Sequence, residues 1–394
     1  MTLRFYYDIV CPYAYLASLK VEALAERTGA SLEWCPVLLG GLFREHGTAD
    51  VPASSYAPAR SAMGAADLIR EAKASGAPFQ NNPLHPQRSV SAMRLLTAAE
   101  GETRVRLSKA LYQSYWVDSM DINDPEVLET LASTHGLSMD EANNPEIKTQ
   151  LRENTAIAAQ KGVFGVPSFE VDGTIWWGQD RMHLVEQALG GTPDYLPKVS
   201  STTAGHIKFF HDFSSPYSYL AATQIQRLAT AWGVRVEWRP MLLGALFRVI
   251  GTENIPIFTF GEARRNYTLR DMIDWAQWWG VEFNFNPHFP MRTVTAGRVA
   301  ILEPSTTPII YKAAWVDGVD LNNDDLLVEV LNQSGYDGKG LVEATQDPAI
   351  KAQLKGNTDA AAQAGACGAP TIMVGNKIFW GQDRLNRVAE ALMP

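Results

Sequence analysis

Alternating apolar and polar residues open each half of the chain and predict a buried strand there. The two runs are Leu3 to Tyr7 and Ile207 to Phe210. Both are followed by a short turn that contains a proline, and then by apolar residues at helical spacing. The pattern therefore predicts, twice, a strand that passes through a tight turn directly into a helix.

The two turns belong to a repeat that covers the whole chain. The first turn and helix start read DIVCPYAYLA, and the second read DFSSPYSYLA. Cys11 and Ser215 occupy the same position, 204 residues apart, and the later motifs return at nearly the same separation. A repeat of this length predicts two domains of the same fold.

Composition marks the boundary between the two copies. Residues 191–205 are rich in Gly, Pro, Ser and Thr and have no apolar period, which is typical of a linker. We therefore predict one domain over 1–190 and a second over 206–394, with 191–205 as the connection between them.

Strand and helix signals follow the same order in each copy. In the first copy, further strands are predicted from Ser31 to Val37, Ser168 to Val171 and Thr174 to Trp177, with a helical pattern between the second and third strands. A strand, crossover helix and strand followed by a hairpin can form one mixed sheet. The predicted fold class is α/β: two tandem thioredoxin-like domains, each with a helical insertion after the second strand.

Composition and charge exclude several classes of function. The net charge of −9 is dispersed over 394 residues without a basic stripe, which argues against nucleic acid or an anionic membrane surface as a partner. No apolar run is long enough to span a bilayer and nothing resembling a leader precedes the first strand, so we expect a soluble cytoplasmic protein. Three cysteines suit a reducing compartment, and the seven histidines have no metal-ligand spacing, so no metal is expected.

Cys11 and Ser215 are the first candidates for chemistry, because each lies at the predicted start of a helix. Free backbone N–H groups and the helix dipole favour a thiolate or another anion there. Two interpretations stay open for each residue. Ser215 is either a plain helix cap or an active group, and Cys11 is either a reactive thiol or an inert buried one.

Two glycine–proline turns form the second candidate element. In each, a proline directly precedes an apolar strand, which predicts a tight turn with a cis peptide bond. Such a turn leaves the backbone of the preceding residue available to pair with a peptide-like ligand. The residues concerned are Val166 and Pro167 in the first copy and Ala369 and Pro370 in the second.

The motif Gln-Asp-Arg closes both copies at the start of a final helix. Asp180 and Asp383 are interpreted either as helix caps or as acceptors for the ammonium group of a ligand. Two arginines, Arg60 and Arg264, occupy matching positions earlier in each copy, and solvent exposure is the default expectation for both.

Taken together, these motifs resemble the family that joins 2-hydroxychromene-2-carboxylate isomerases and kappa-class glutathione transferases. The resemblance rests on DFSSPYSYL, on Leu-Leu-Gly-x-Leu-Phe, on the Asn-Pro-x-x-x-Pro loop, on the Gly-x-Pro turn and on the closing Phe-x-Gly-x-Asp-Arg, and it covers both copies. It implies a thioredoxin fold of the DsbA type and glutathione as cosubstrate.

The resemblance also implies roles for individual residues. Ser215 would steady the glutathione thiolate, the residue before each turn proline would pair with the glutathione backbone, and the closing Asp would hold the γ-glutamyl end. The glutathione-binding positions implied are Asn254, Arg264, Ala369, Pro370, Gln382 and Asp383, with Arg60, Val166, Pro167 and Asp180 in the first copy. The first copy has Cys11 in place of the serine and Asp50 in place of the asparagine, so the second copy is the better candidate site.

The function implied is a glutathione-dependent cis/trans isomerase that acts by thiolate addition, bond rotation and elimination on an unsaturated, aromatic-derived small molecule. One alternative is a glutathione transferase or thiol–disulfide oxidoreductase that uses Cys11. Another is that the first copy is a non-catalytic partner, so that the two copies form an intramolecular pseudo-dimer, with further self-association left open.

Overall fold

The computed structural model describes residues 1–48, 56–199, 205–252 and 256–393. These residues form two compact units, each described below by itself. The first unit comprises Met1–Ser55, Ala65–Pro193 and Gly261–Tyr267, and the second comprises Tyr56–Gly64, Asp194–Phe260 and Thr268–Pro394. Two short segments therefore belong to a unit built mainly from the other half of the chain.

A four-stranded mixed sheet forms the centre of the first unit. Its strands are β1 Thr2–Tyr7, β2 Ser31–Pro36, β3 Ser168–Val171 and β4 Thr174–Trp177. Their order is β2-β1-β3-β4, with β1 parallel to β2 and antiparallel to β3. Parallel pairing of β1 and β2 requires a crossover, which the helix between them supplies.

A second sheet of the same order forms the centre of the second unit. Its strands are β5 His206–His211, β6 Arg235–Pro240, β7 Thr371–Val374 and β8 Lys377–Trp380, in the order β6-β5-β7-β8. The predicted fold of two DsbA-type thioredoxin-like domains is confirmed.

Helices surround both sheets, and most of them lie between the second and third strand of each copy, as the predicted insertion requires. In the first half of the chain they are α1 Pro12–Thr28, α2 Leu39–Glu45, α3 Pro58–Ala74, α4 Val90–Ala98, α5 Gly101–Trp116, α6 Pro125–Thr134, α7 Met139–Asn143, α8 Pro145–Gln160 and α9 Met182–Ala188. In the second half they are α10 Pro216–Ala231, α11 Leu243–Ile250, α12 Glu262–Trp279, α13 Val294–Leu302, α14 Thr307–Trp315, α15 Asp324–Gln333, α16 Gly338–Ala344, α17 Pro348–Gln363 and α18 Leu385–Leu392. None of the described helices combines the length and apolar character needed to cross a bilayer.

Helix α10 shows how the local sequence positions the candidate site. Pro216 stands at the first helical position, where its missing N–H is not needed for a hydrogen bond. Ile225 and Leu228 lie on one face and are buried against the sheet. Burying each of these side chains contributes about 2 kcal/mol, so packing fixes the rotation of the helix and therefore the direction of its first turn.

The predicted linker is only partly a connector. Asp194 and the residues after it belong to the second unit. Tyr195 packs edge-on against Trp275 with ring centroids 5.5 Å apart, and its hydroxyl donates a hydrogen bond to the carbonyl of Asp383 at 3.0 Å. An aromatic side chain within a Pro- and Gly-rich stretch was the signal that this part of 191–205 is packed.

Candidate functional site

Ser215 lies at the junction of the first turn and helix α10, and only 3% of it is exposed. Its Oγ accepts a hydrogen bond from the backbone N–H of Ser218 at 3.1 Å, which makes it the helix cap. The same hydroxyl donates to the carbonyl of Ala369 at 3.0 Å. Ser215 can therefore be both the helix cap and an active group, because the oxygen that accepts the capping bond also lies beside the glycine–proline turn.

The glycine–proline turns have the predicted cis peptide bonds, at Val166–Pro167 and Ala369–Pro370. In the second unit, three carbonyls of the turn are held. The carbonyl of Gly368 accepts from Thr371 Oγ1 at 2.7 Å, that of Ala369 from Ser215, and that of Pro370 from the N–H of Gly381 at 3.0 Å. The turn is thereby fixed beside Ser215.

Cys11 occupies the corresponding place in the first unit but has different surroundings. Its thiol donates to the carbonyl of Val166 at 3.1 Å and makes no capping bond to helix α1. Burial raises the pKa of the Cys11 thiol to about 12, although the N–H groups of Tyr13 and Ala14 act in the opposite direction. Since the thiolate is the reactive form, this environment does not favour the oxidoreductase alternative.

The closing Asp residues lie in short 3-10 turns, Gln179–Arg181 and Gln382–Arg384, that precede α9 and α18. Gly178 and Gly381 occupy the cap positions, with φ of +106° and +109°, and neither turn has a side-chain cap. The N-cap residues of α9 and α18 are Arg181 and Arg384, neither of which makes a side-chain capping bond, and both interpretations of the two Asp residues stay predictions.

Both closing carboxylates remain accessible at the surface of their units. Asp180 forms an ion pair with Arg181 at 3.0 Å and Asp383 with Arg384 at 3.3 Å, and their side chains are 21% and 18% exposed. Gln382, by contrast, is only 1% exposed, and its Oε1 accepts from Trp279 Nε1 at 3.2 Å. The role of Gln382 in ligand binding stays a prediction.

The two arginines are distributed differently from what the repeat suggests. Arg60 belongs to the second unit, with its guanidinium carbon 5.8 Å from the ring centroid of Trp380. Arg264 belongs to the first unit, 5.7 Å from the ring of Trp177. The sequence placed each arginine with the site of its own copy, but the structure places Arg60 in the unit of Ser215 and Arg264 in the unit of Cys11. Asn254 and Asp50 lie outside the described residues.

The comparison with known families agrees with this arrangement of turn, helix start and cis-proline loop. The family described as DSBA-like thioredoxin domain matches residues 2–190 and again residues 206–393. The chain belongs to this family. The two matches correspond to the two copies of the repeat, so the chain contains two DSBA-like domains.

Individual relatives are about as long as one DSBA-like domain. The 2-hydroxychromene-2-carboxylate isomerase of Pseudomonas putida is 24% identical over 190 residues, which are 47% of this chain and 93% of the relative. Glutathione S-transferase kappa 1 of Homo sapiens is 29% identical over 208 residues, or 48% of this chain and 91% of the relative. A solved structure of a 2-hydroxychromene-2-carboxylate isomerase is 22% identical, with a TM-score of 0.44, and matches 47% of this chain and 93% of its own.

One buried carboxylate holds the turn of each DSBA-like domain, and sequence reasoning missed its role. Asp212 Oδ1 accepts from the N–H of Ser214 at 2.9 Å and from Thr293 Oγ1 at 2.5 Å, while Oδ2 accepts from the N–H of Leu243 at 2.6 Å. Asp8 does the same in the first domain, and burial raises its pKa to about 6. The sequence signal for this role was an Asp directly after the first strand in both copies.

A polar network lies behind the turn in the second DSBA-like domain. His211 Nδ1 is 2.9 Å from the hydroxyl of Tyr311, and this hydroxyl donates to the carbonyl of Asp212 at 3.4 Å. The corresponding residue of the first domain is Tyr7, whose hydroxyl pairs with Ser108 at 2.7 Å. Burial lowers the pKa of His211 to about 3, so this imidazole is neutral at physiological pH.

Replacing His211 with tyrosine is expected to reduce acid sensitivity. The unfolded chain binds a proton near pH 6.5 and the folded chain only near pH 3, so the stability from a neutral His211 is lost as pH falls through this window. Between pH 7 and pH 5 the loss is about 2 kcal/mol. Thr307 matches Ser108 in the repeat, and its Oγ1 is buried and unpaired among the described residues, so it is the expected partner of the new hydroxyl.

The check is a denaturant titration of wild type and His211→Tyr at both pH values. A His183→Gln variant is the parallel test in the first domain, where burial also lowers the pKa of His183 to about 3. Each variant should lose less of its free energy of unfolding between pH 7 and pH 5 than the wild type does. An unchanged pH dependence in His211→Tyr would contradict the prediction.

Proposed function

We propose that the chain is a glutathione-dependent isomerase whose chemistry takes place in the second DSBA-like domain. The observation that carries the proposal is the Ser215 hydroxyl, held between the start of helix α10 and the carbonyl of Ala369. The similarity to 2-hydroxychromene-2-carboxylate isomerases and kappa-class glutathione transferases supports the reaction class. The first domain is proposed as a non-catalytic partner, because the thiol of Cys11 is buried and protonated.

The residues around Ser215 fit a peptide-like thiol. The cis-proline turn offers a fixed length of backbone at Ala369, in the manner of an extended strand. Asp383 is partly exposed and can accept an ammonium group. The first turn of α10 adds backbone N–H groups and the positive end of a helix dipole, which favour an anion.

Ser215 has one hydroxyl proton to donate, and the acceptor towards which this proton points determines the role of the residue. The N–H of Ser218 holds the oxygen in place, so the proton can turn from the Ala369 carbonyl towards a ligand sulfur without moving the oxygen. A charge-assisted hydrogen bond of this kind stabilises the thiolate relative to the thiol. Ser215 therefore lowers the thiol pKa and restrains the sulfur.

Bound glutathione would supply a thiolate that adds to the electrophilic carbon of a conjugated double bond and leaves again after rotation about the resulting single bond. The electron pair of the double bond moves into the conjugated carbonyl during addition and returns during elimination. No net oxidation or reduction occurs.

An exposed aromatic surface beside the turn supports a flat, apolar substrate. Phe285 is 37% exposed and Phe258 is 60% exposed, and their ring centroids lie 5.2 and 6.1 Å from that of Phe289. The loop that carries Phe289 reaches the turn, since the N–H of Met291 donates to Ser214 Oγ at 3.2 Å. Trp275 of α12 is less suitable, because it is fully buried in the core.

Replacing Phe289 with alanine is expected to raise the KM for an aromatic substrate about tenfold, because a desolvated aromatic contact is lost. The affinity for glutathione should change little. His85→Ala is the matched control, since His85 occupies the same position in the first domain and should have no effect on KM. An equal rise in the KM for glutathione would contradict the role assigned to Phe289.

The proposed function is tested by incubating the full-length protein with 2-hydroxychromene-2-carboxylate and glutathione. An isomerase converts the substrate at a rate that depends on glutathione while the concentration of free thiol stays constant. Stoichiometric loss of thiol would instead identify the transferase alternative. No glutathione-dependent conversion with this substrate or with related unsaturated aromatic acids would overturn the proposal.

A further inference from the structure

The strand that leads into the Ser215 turn ends in His211, which is fully buried. Its Nδ1 is 2.9 Å from the hydroxyl oxygen of Tyr311, a residue of α14 that is only 2% exposed. This hydroxyl donates in turn to the carbonyl of Asp212 at 3.4 Å. Because a tyrosine has one proton and directs it at this carbonyl, the Nδ1–H of His211 donates to the tyrosine oxygen.

Tyr311 contacts the turn on both sides of Ser215. The carbonyl of Asp212 that accepts from Tyr311 also accepts the backbone N–H of Ser215 at 3.0 Å. On the other side, burial raises the pKa of Tyr311 well above its usual value, and a hydrogen bond with the Ser218 side chain acts in the opposite direction. The backbone N–H of Ser218 is the donor that holds Ser215 Oγ. One tyrosine hydroxyl therefore restrains the two residues whose backbone groups hold the serine.

The matched positions of the first domain lack this polar chain. Tyr7 stands in the place of His211, and Ala14, which has no hydroxyl, stands in the place of Ser218. Tyr112 keeps the phenol, but its hydroxyl is buried without a hydrogen-bond partner among the residues that the structure describes. The complete chain thus accompanies the domain of the proposed chemistry and not the proposed non-catalytic one.

We propose that His211, Tyr311 and Ser218 are positioning residues for the Ser215 hydroxyl. This inference rests on the proposed function. His211 orients the tyrosine, and the tyrosine holds Ser218 and the Asp212 carbonyl. The N–H of Ser218 then keeps the serine oxygen in a fixed place while the hydroxyl proton turns towards the sulfur of the bound thiol. The chain acts through Ser215 by fixing geometry, and it transfers no proton.

The test is an ultraviolet titration of the thiolate of bound glutathione on the full-length protein. A hydrogen bond weakens steeply as its geometry departs from linear, so a loosened serine oxygen stabilises the thiolate less well. Tyr311→Phe should therefore raise the pKa of the bound thiol by about half a pH unit and lower kcat near neutral pH about threefold. Tyr112→Phe is the matched control, because it removes the unpaired hydroxyl of the first domain, and it should change neither quantity.

Two variants of His211 separate positioning from a merely structural role. His211→Asn keeps an amide N–H near the place of the Nδ1–H and should retain most of the wild-type thiol pKa. His211→Leu removes the donor and should resemble Tyr311→Phe. A chain that only stabilises the fold would lower the midpoint of denaturant unfolding in these variants and leave the thiol pKa of the folded protein unchanged.

Ser218→Ala gives a second route to the same measurement with a smaller change, since it introduces the residue found in the first domain. It should raise the thiol pKa in the same direction as Tyr311→Phe. An unchanged thiol pKa in folded Tyr311→Phe and Ser218→Ala, or an equal rise in Tyr112→Phe, would overturn the inference and leave the proposed function intact. A wild type that does not lower the pKa of glutathione would overturn the proposed function, and this inference with it.

Discussion

Ser215→Ala is expected to lower glutathione-dependent turnover about a hundredfold, because it removes the hydroxyl that stabilises developing negative charge on sulfur. The helix cap is lost as well, at a cost of about 1 kcal/mol, since Ser218 loses the acceptor of its N–H bond. The measurement is kcat at saturating glutathione. A fall in kcat that is largest at low pH and shrinks as the pH rises towards the pKa of free glutathione would separate loss of thiol activation from weaker substrate binding.

Cys11 provides the matched control for this prediction. Cys11→Ala removes the equivalent side chain of the first domain, which has no capping role, and should leave turnover within about twofold. If Cys11→Ala abolished turnover and Ser215→Ala did not, the assignment of the active domain would be reversed.

Asp212→Ala is expected to have the second largest effect, on stability. The carboxylate accepts three hydrogen bonds that join the turn, helix α11 and the loop before α13. Its removal leaves three donors, at Ser214, Leu243 and Thr293, without a partner, at a cost of about 3 kcal/mol or more. The denaturant midpoint of the second domain should fall accordingly.

Thr293→Val is the control for Asp212→Ala, because it removes one of the three bonds and keeps the carboxylate. It should cost about 1 kcal/mol. Asp8→Ala should reproduce the large effect in the first domain, where the carboxylate accepts from Leu39 and Ser89 at 2.8 and 3.0 Å. Equal midpoints for Asp212→Ala and Thr293→Val would show that the carboxylate does not organise the turn.

Much of the fold could be predicted because it depends on local patterns. Alternation predicted β1, helical spacing predicted α1 and α10, and the short gap between two predicted strands indicated the hairpin of β3 and β4. The repeat then placed Cys11 and Ser215 in equivalent positions and predicted two cis-proline turns. These features follow from backbone preferences and from the burial of one face of each element.

The remaining features depend on packing between residues that are distant in the chain. No local pattern indicates that the first turns of α3 belong to a different unit from its last turns, so the sequence assigned Arg60 and Arg264 each to the unit of its own copy, whereas the structure places each in the other. The burial of Cys11, which raises its thiol pKa, is likewise a tertiary property. Sequence identifies the residue at a helix start, but its solvation decides whether that residue is reactive.

The central claim is that Ser215, and not Cys11, activates a bound thiol, and it is tested most directly by an ultraviolet titration of the glutathione thiolate. In the wild type, bound glutathione should ionise about one pH unit or more below free glutathione. Cys11→Ala should keep this shift and Ser215→Ala should lose it. Loss of the shift in Cys11→Ala with retention in Ser215→Ala, or no shift in the wild type, would contradict the account.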